Sequence, residues 1–374
     1  MFGYYNFNNF VCIYATLPIM KLMKSAVASA FLITATCAFA SNSDSIQFKA
    51  PEEHLISLDA EARFDWEIVT HDGYTDHSNT GFVGKYIAVK AHGQIIDGLS
   101  YTWRQRFSRT PKDASFWDQN DVMELNYKWG KFDFGAGKQV VMIGGYEYNL
   151  HPIDLMCPNI FVTNIACYQF GISAGYQVSP NDYLSFQITQ SPYAHSGFRD
   201  LYAFNLQWQS QRVLTDRLRF ENIWSINEIE YTNGKFCNFV ALGNKLVLDS
   251  KFTFILDLMT RTYPRNHIFK NNTFMGEVSW DINRSWRLTG KISYDCNMGK
   301  NLTPYTEVAR GSEITMGGVV AEWFPIHKNN HLLRLHASAF FSGGKNNSDT
   351  DLMQAKTFYA SVGLTWHMNL LNFK

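Results

Sequence analysis

Apolar and polar residues alternate with a period of two through nearly everything after residue 53. The alternating segments run about ten residues, the length a tilted strand needs to cross a bilayer. In Leu201 to Gln211, Tyr202, Phe204, Leu206 and Trp208 fall on one side, and Asn205, Gln207 and Gln209 on the other. The split recurs as Phe252, Phe254, Leu256 and Leu258 against Lys251, Thr253 and Asp257, and as Trp286, Leu288, Ile292 and Tyr294 against Arg287, Thr289, Lys291, Ser293 and Asp295. The pattern predicts sixteen strands, near 54–70, 79–92, 98–108, 119–129, 131–142, 165–178, 182–190, 201–211, 217–228, 235–246, 249–262, 272–281, 285–296, 313–324, 331–342 and 357–370.

A soluble sandwich alternates too, so alternation does not choose between core and lipid. Connection lengths do. Turns at Gly130, at Pro180 to Asp182, at Asp281 to Arg284 and at Pro325 to Asn330 are short, whereas 109–118, 191–200, 297–312 and 343–356 are long. Short turns at one end and long loops at the other mark an outer-membrane barrel with its long loops facing outward. With the amino terminus on the periplasmic side, Trp103, Trp129, Trp208, Trp280, Trp286, Trp323 and Trp366 lie at or near periplasmic strand ends, where amphipathic indoles settle. The expected fold is all-β: a closed antiparallel transmembrane β-barrel of about 16 strands.

The amino-terminal region follows other rules. Lys21 and Lys24 precede the apolar run Ala26 to Thr36 and a small-residue site at Ala38-Phe39-Ala40, the layout of a secretory signal peptide. The expected division is a leader at 1–40 with Met20 as its natural start, a short periplasmic segment at 41–53, and the barrel over 54–374. The chain carries 33 Lys+Arg and 33 Asp+Glu. Losing Lys21 and Lys24 with the leader keeps the balance near neutral, which argues against a nucleic-acid partner. Past the leader no apolar run reaches about 18 residues, so an exported membrane protein of this sequence has to span as a barrel.

The stretch Gly135 to Tyr148, GAGKQVVMIGGYEY, invites comparison with a phosphate-binding loop. It fails: Gln139 follows Lys138, Phe132 stands where the first glycine belongs, and no helical period follows. As a strand it is coherent. Phe132, Phe134 and Ala136 alternate with Asp133, Gly135 and Gly137, glycines that leave room in a lumen or permit a bend. The connection that follows, Ile143 to Asn164, is the longest in the chain. Its Pro152, Ile153, Leu155, Met156, Pro158, Ile160 and Phe161 are too apolar for open water. In a wide barrel such a segment fits in the lumen, where it narrows the channel.

The segments GKQVVMIGGYEY, PIDL, CYQFGISAGY and FQITQSPY resemble the porins of the phosphate-selective O/P type, in the versions typical of Bacteroidota outer membranes. The resemblance implies a bacterial outer-membrane porin of sixteen strands, usually trimeric, with its third loop folded into the pore. Some members hold phosphate on a ladder of arginines and lysines. Here the inferred wet faces mix Arg104, Arg106, Lys128, Arg219, Lys291 and Arg334 with Glu124, Glu221, Asp257, Glu277 and Asp295, so phosphate selectivity is not carried over.

Function follows from a wide wet barrel: passive diffusion of small hydrophilic solutes and ions, filtered by diameter and by charge at the constriction. Tyr146, Glu147, His151 and Asp154 are the candidate constriction residues of the long loop. Set against Arg104, Arg106 and Lys138 they would create a transverse field; Asp154 serving only to hold the loop is the alternative. Cys157 and Cys167 are close enough in sequence to form a disulfide in an exported protein, with two buried thiols as the other outcome. No C-x-x-C spacing is present, so neither a metal nor a cofactor is expected. A lipase-like barrel enzyme is the main alternative class. Its candidate pairs, His336 with Ser338 and Ser361 with His367, fall on wet faces, and no G-x-S-x-G or H-E-x-x-H supports it. A closed structural or adhesive barrel is disfavoured because sixteen strands leave an aqueous channel unless plugged.

Overall fold

In a soluble fold the apolar side chains point inward; here they point outward. Along β9 (Tyr202–Thr215), Tyr202, Phe204 and Leu206 are 50%, 39% and 44% exposed, while the intervening Ala203, Asn205 and Gln207 are 0%, 0% and 3% exposed. Each large apolar side chain moved from water into lipid contributes roughly 1.5–3 kcal/mol, so the outer face is stable only in a membrane. The computed structural model describes residues 55–108, 116–194, 199–264, 268–299, 307–326, 332–348, 354 and 356–373. The leader and periplasmic segment expected at 1–40 and 41–53 lie outside the described residues.

All strands pair antiparallel in one 17-stranded sheet, in which β2 (Tyr74–Thr75) is a two-residue addition. The sixteen long strands start with β1 (Ile56–His71), β3 (Gly81–Ile96), β4 (Leu99–Arg106), β5 (Asn120–Trp129), β6 (Phe132–Val140), β7 (Tyr168–Ser179) and β8 (Asp182–Gln190). After β9 come β10 (Leu218–Thr232), β11 (Lys235–Leu248), β12 (Phe252–Thr262), β13 (Asn271–Asp281), β14 (Trp286–Asn297), β15 (Glu313–Trp323), β16 (Leu333–Lys345) and β17 (Thr357–Phe373). Neighbours in sequence are neighbours in the sheet, and β17 returns to β1 along its whole length, from Ile56↔Phe373 to His71↔Thr357. Closure leaves no unpaired edge, which the hydrocarbon region does not tolerate.

Every predicted strand is present within a few residues of its expected ends. The alternation of turn lengths breaks at one place. At the long-loop end, β10 and β11 join through Asn233-Gly234 alone, a tight hairpin turn in which Gly234 takes φ +68. At the short-turn end the aromatics form a belt. Trp286 stacks on Trp323 with centroids 6.1 Å apart, Phe252 on Trp280 at 5.8 Å, and Trp129 lies beside Phe132 at 6.4 Å.

Candidate functional site

The third loop, residues 141–167 between β6 and β7, does not project into solvent. It enters the barrel, as its apolar content predicts, and each part of it is tied to the inner wall. At its root the loop backbone lies directly on the strands. Gly144 N–H donates to Ser225 Oγ at 2.7 Å and Gly145 N–H to the Ile223 carbonyl at 3.2 Å. A Cβ on Gly144 would stand 2.7 Å from the Ala241 carbonyl oxygen, and one on Gly243 the same distance from Gly145 Cα. The glycines that first suggest a phosphate loop therefore serve backbone-on-wall docking.

Beyond the root, Asp257 on β12 accepts the N–H groups of Tyr146 and Glu147, both at 2.8 Å. A carboxylate taking two backbone donors is a strong, directional anchor. Glu147 then turns to β14, where it binds Lys291 Nζ and accepts from Asn159 N–H at 3.0 Å and Asn159 Nδ2 at 2.7 Å. Lys291 also donates to the Cys157 carbonyl at 2.8 Å. Glu147 therefore does not oppose Arg104, Arg106 or Lys138. It is consumed by Lys291, a buried cation that would be strongly destabilising without a partner.

The tip of the loop reaches the other side of the lumen. β4 and β12 are eight steps apart in the sixteen-strand ring, so the segment from Tyr146 to His151 spans a diameter. His151 Nε2 meets Arg104 Nη1 at 2.8 Å and lies 3.5 Å from Glu61 Oε2. The 3-10 turn Pro152–Asp154 seats Ile153 on Tyr86 and Ala88. Arg63, gripped by Asp65 at 2.6 Å, donates to the Leu155 carbonyl at 2.8 Å, and Asp154 pairs with Arg334 at 2.9 Å. Asp154 is thus both a loop fastening and, with its side chain 37% exposed, a charge at the lumen surface.

On the return leg, Asn159 caps the short helix α1 (Ile160–Asn164) by accepting from Val162 N–H at 2.8 Å, and Ile160 N–H donates to Asp295 at 3.1 Å. The helix buries Ile160, Phe161 and Val162 against Ile229, Phe239, Met259 and Ile314 of the inner wall. The Arg261 guanidinium lies 4.9 Å over the Phe161 ring. A hydrophobic core inside the barrel explains why this loop is so apolar.

No disulfide joins Cys157 and Cys167; both are thiols. Cys157 sits at the tip side with its Sγ 3.3 Å from Met316 Sδ, whereas Cys167 packs with the cluster of Val141 and Phe161. Lys138 is also corrected. It pairs across the ladder with Met123 and Phe170, exposed residues of the outward row, and its ammonium is held by the Trp117 carbonyl at 2.5 Å beneath the Phe170 ring. Cross-strand partners share a face, so Lys138 points outward.

Arg104 and Arg106 flank Asp121, at 3.4 and 2.7 Å. Glu221 bridges Arg219 at 2.7 Å and Lys245 at 2.8 Å, and Lys245 lies 5.5 Å over the Tyr146 ring. Glu277 faces Lys291 across the ladder and accepts from Ser279 at 3.3 Å. Glu61, Arg63 and Asp65 of β1 also belong to the site, as does Glu322 of β15, which shares Arg334 at 3.1 Å. Their pattern was visible: Glu61, Arg63, Asp65 and Glu67 alternate with Ala62, Phe64 and Trp66. Among the described residues no group of three His, Cys, Asp or Glu side chains could hold a metal ion.

Residues 58–220 match the sequence profile of the family described as phosphate-selective porin O and P. No curated protein matches the chain. Among solved structures, the anion-selective porin from Comamonas acidovorans superposes with a TM-score of 0.59 at 11% identity, covering 84% of this chain and 100% of that one. Outer-membrane expressed OmpT of Vibrio cholerae gives 0.54 at 9% identity, over 87% and 100% of the two chains. Pseudomonas aeruginosa OprD gives 0.52 at 8%, over 89% and 100%. At these identities the likeness is one of fold.

Proposed function

We propose that this chain is a porin of the phosphate-selective O and P type, whose profile its residues 58–220 match, a passive-diffusion channel of the bacterial outer membrane, and that it is a weakly selective pore constricted by its third loop. The observation that carries this is the loop's course across a full diameter, from Asp257 on β12 to Arg104 on β4. Tyr146, His151 and Asp154 line the constriction in this reading, and Glu147 holds it in place. Weak selectivity follows from pairing. The arginines that would make an anion ladder are already bound: Arg63 by Asp65 and two loop carbonyls, Arg106 by Asp121, Arg334 by Asp154 and Glu322. Tight phosphate capture needs convergent donors without competing carboxylates.

The fold and the profile match support a non-enzymatic channel. Two observations support the absence of catalysis. Ser338 spends its hydroxyl on Ser361 at 2.8 Å, and His336 lies by Asp65 at 3.3 Å, so the histidine and serine are not coupled as nucleophile and base. A homotrimer is the proposed assembly, on the family's habit. Single-channel recording in planar bilayers tests the whole proposal. Steady ohmic steps, a small reversal potential in a salt gradient and no block by millimolar phosphate are expected. A silent, folded barrel would contradict the pore, and phosphate block would contradict the pairing of the lumen arginines.

A further inference from the structure

We infer that Glu124 on β5 sets the residual charge preference of the channel, favouring small cations such as alkali-metal ions and ammonium compounds. The inference rests on the pore proposed above and names the solute class it prefers. Its first support is where the loop is not attached. Residues 146–160 make hydrogen bonds and ion pairs to β1, β4, β12, β14, β15 and β16, the root at 142–145 bonds to β8, β9 and β10, and among the described residues neither segment makes one to β5, β6 or β7. The gap that a solute must use therefore lies between the free edge of the loop and the wall of β5 to β7.

That wall is nearly bare. Its inward positions include Gly135 and Gly137 on β6 and Gly171, Ser173 and Gly175 on β7. The side chains of neighbouring strands lie flat over the glycines. A Cβ on Gly135 would stand 2.7 Å from Glu124 Oε1 and 2.5 Å from Ser173 Oγ, and one on Gly175 would collide with the Tyr183 hydroxyl at 1.7 Å. The glycine floor thus keeps the passage wide while laying a carboxylate along it.

The second support is charge. Asp65, Asp121, Glu147, Asp154, Glu221 and Glu322 each hold a Lys or Arg within 3.1 Å. Among the described residues Glu124 has no cation within the 4.0 Å of an ion pair. Other lumen carboxylates lack one as well: Asp257 and Asp295 are taken up by N–H groups of the loop, and Glu61 lies beside His151 and His367. Glu277 is turned to Ser279 and faces Lys291 in the ladder, and Asp133 pairs in register with Lys128. Glu124 is the uncompensated charge at the height of the gap, where a carboxylate beside a narrow water path raises the local cation concentration.

The test is the reversal potential of the purified protein in a planar bilayer under a potassium chloride gradient, with heat-modifiable gel migration confirming the folded barrel. Glu124→Gln, which preserves size, should lower the potassium-to-chloride permeability ratio by about twofold or more with little change in conductance. Glu124→Lys should invert the preference. Asp133→Asn, nearer the periplasmic end, should leave the ratio close to that of the parent. An unchanged ratio in folded, conducting Glu124→Gln overturns this inference and leaves the pore intact. A shift as large in Asp133→Asn also overturns it, since the preference would belong to the vestibule. A folded parent that passes no current removes both the pore and the inference.

Discussion

Two backbone N–H groups aimed at one buried carboxylate make Asp257 the residue on which the loop's position depends. Asparagine there would lose the charge and turn an amide donor toward one of the two N–H groups. Each charge-assisted bond lost costs roughly 1.5–3 kcal/mol. Asp257→Asn is expected to leave the barrel folded and to release the loop root, read as faster proteolysis within residues 141–167 and noisier single-channel current. Protection equal to the parent would show that Lys291 and the apolar core suffice. His151 gives a second prediction. Burial, and then the Arg104 guanidinium beside it, push its imidazole down to about 4 from an ordinary 6.5. A histidine whose pKa is lowered on docking adds stability above about 6.5 and loses it as the pH falls toward 4. Current fluctuations should therefore grow between those values. His151→Gln, which keeps an acceptor for Arg104 and does not titrate, should abolish the dependence.

At the scale of elements, the strands and the loop were legible to different degrees for physical reasons. A strand in a barrel wall is specified by its own residues: lipid on one side and water on the other impose period two, and the paired faces of Leu201 to Gln211 or Trp286 to Asp295 state it locally. The loop's partners are remote in sequence. Nothing near Glu147 announces Lys291, 144 positions away, and nothing near Leu155 announces Arg63, 92 positions away. Composition showed that the loop had to be buried, because Ile153, Ile160 and Phe161 would not face water, but not which wall would receive it. Lys138 faces outward because it continues the dry row of Phe132, Phe134 and Ala136 one step beyond Gly137, whose φ of +127 is a local irregularity. Removing residues 146–160 and joining the ends with a glycine-containing turn should raise conductance while the barrel persists, since wall closure rests on strand pairing alone. A folded deletion with unchanged conductance would place the solute path elsewhere.

For the whole molecule, export and assembly belong together. The charged start, short apolar core and Ala-x-Ala site of the first forty residues predict cleavage after Ala40, so amino-terminal sequencing of membrane-extracted protein should read Ser41-Asn-Ser-Asp. Retention of Met20 would contradict the leader. The pairing of β1 with β17 has a further consequence, one of timing. The first strand out has as its closing neighbour the last strand out, so no lumen exists until the carboxyl-terminal residues arrive. The third loop waits with it. Four of its fastenings, Asp257, Lys291, Met316 and Arg334, follow it in the chain, and contacts this remote are slow to form because the intervening chain must first be ordered. The docked loop is thus a late product of biogenesis: a chain stalled before β16 would present residues 141–167, with their exposed isoleucines and phenylalanine, to whatever chaperones attend the periplasmic face.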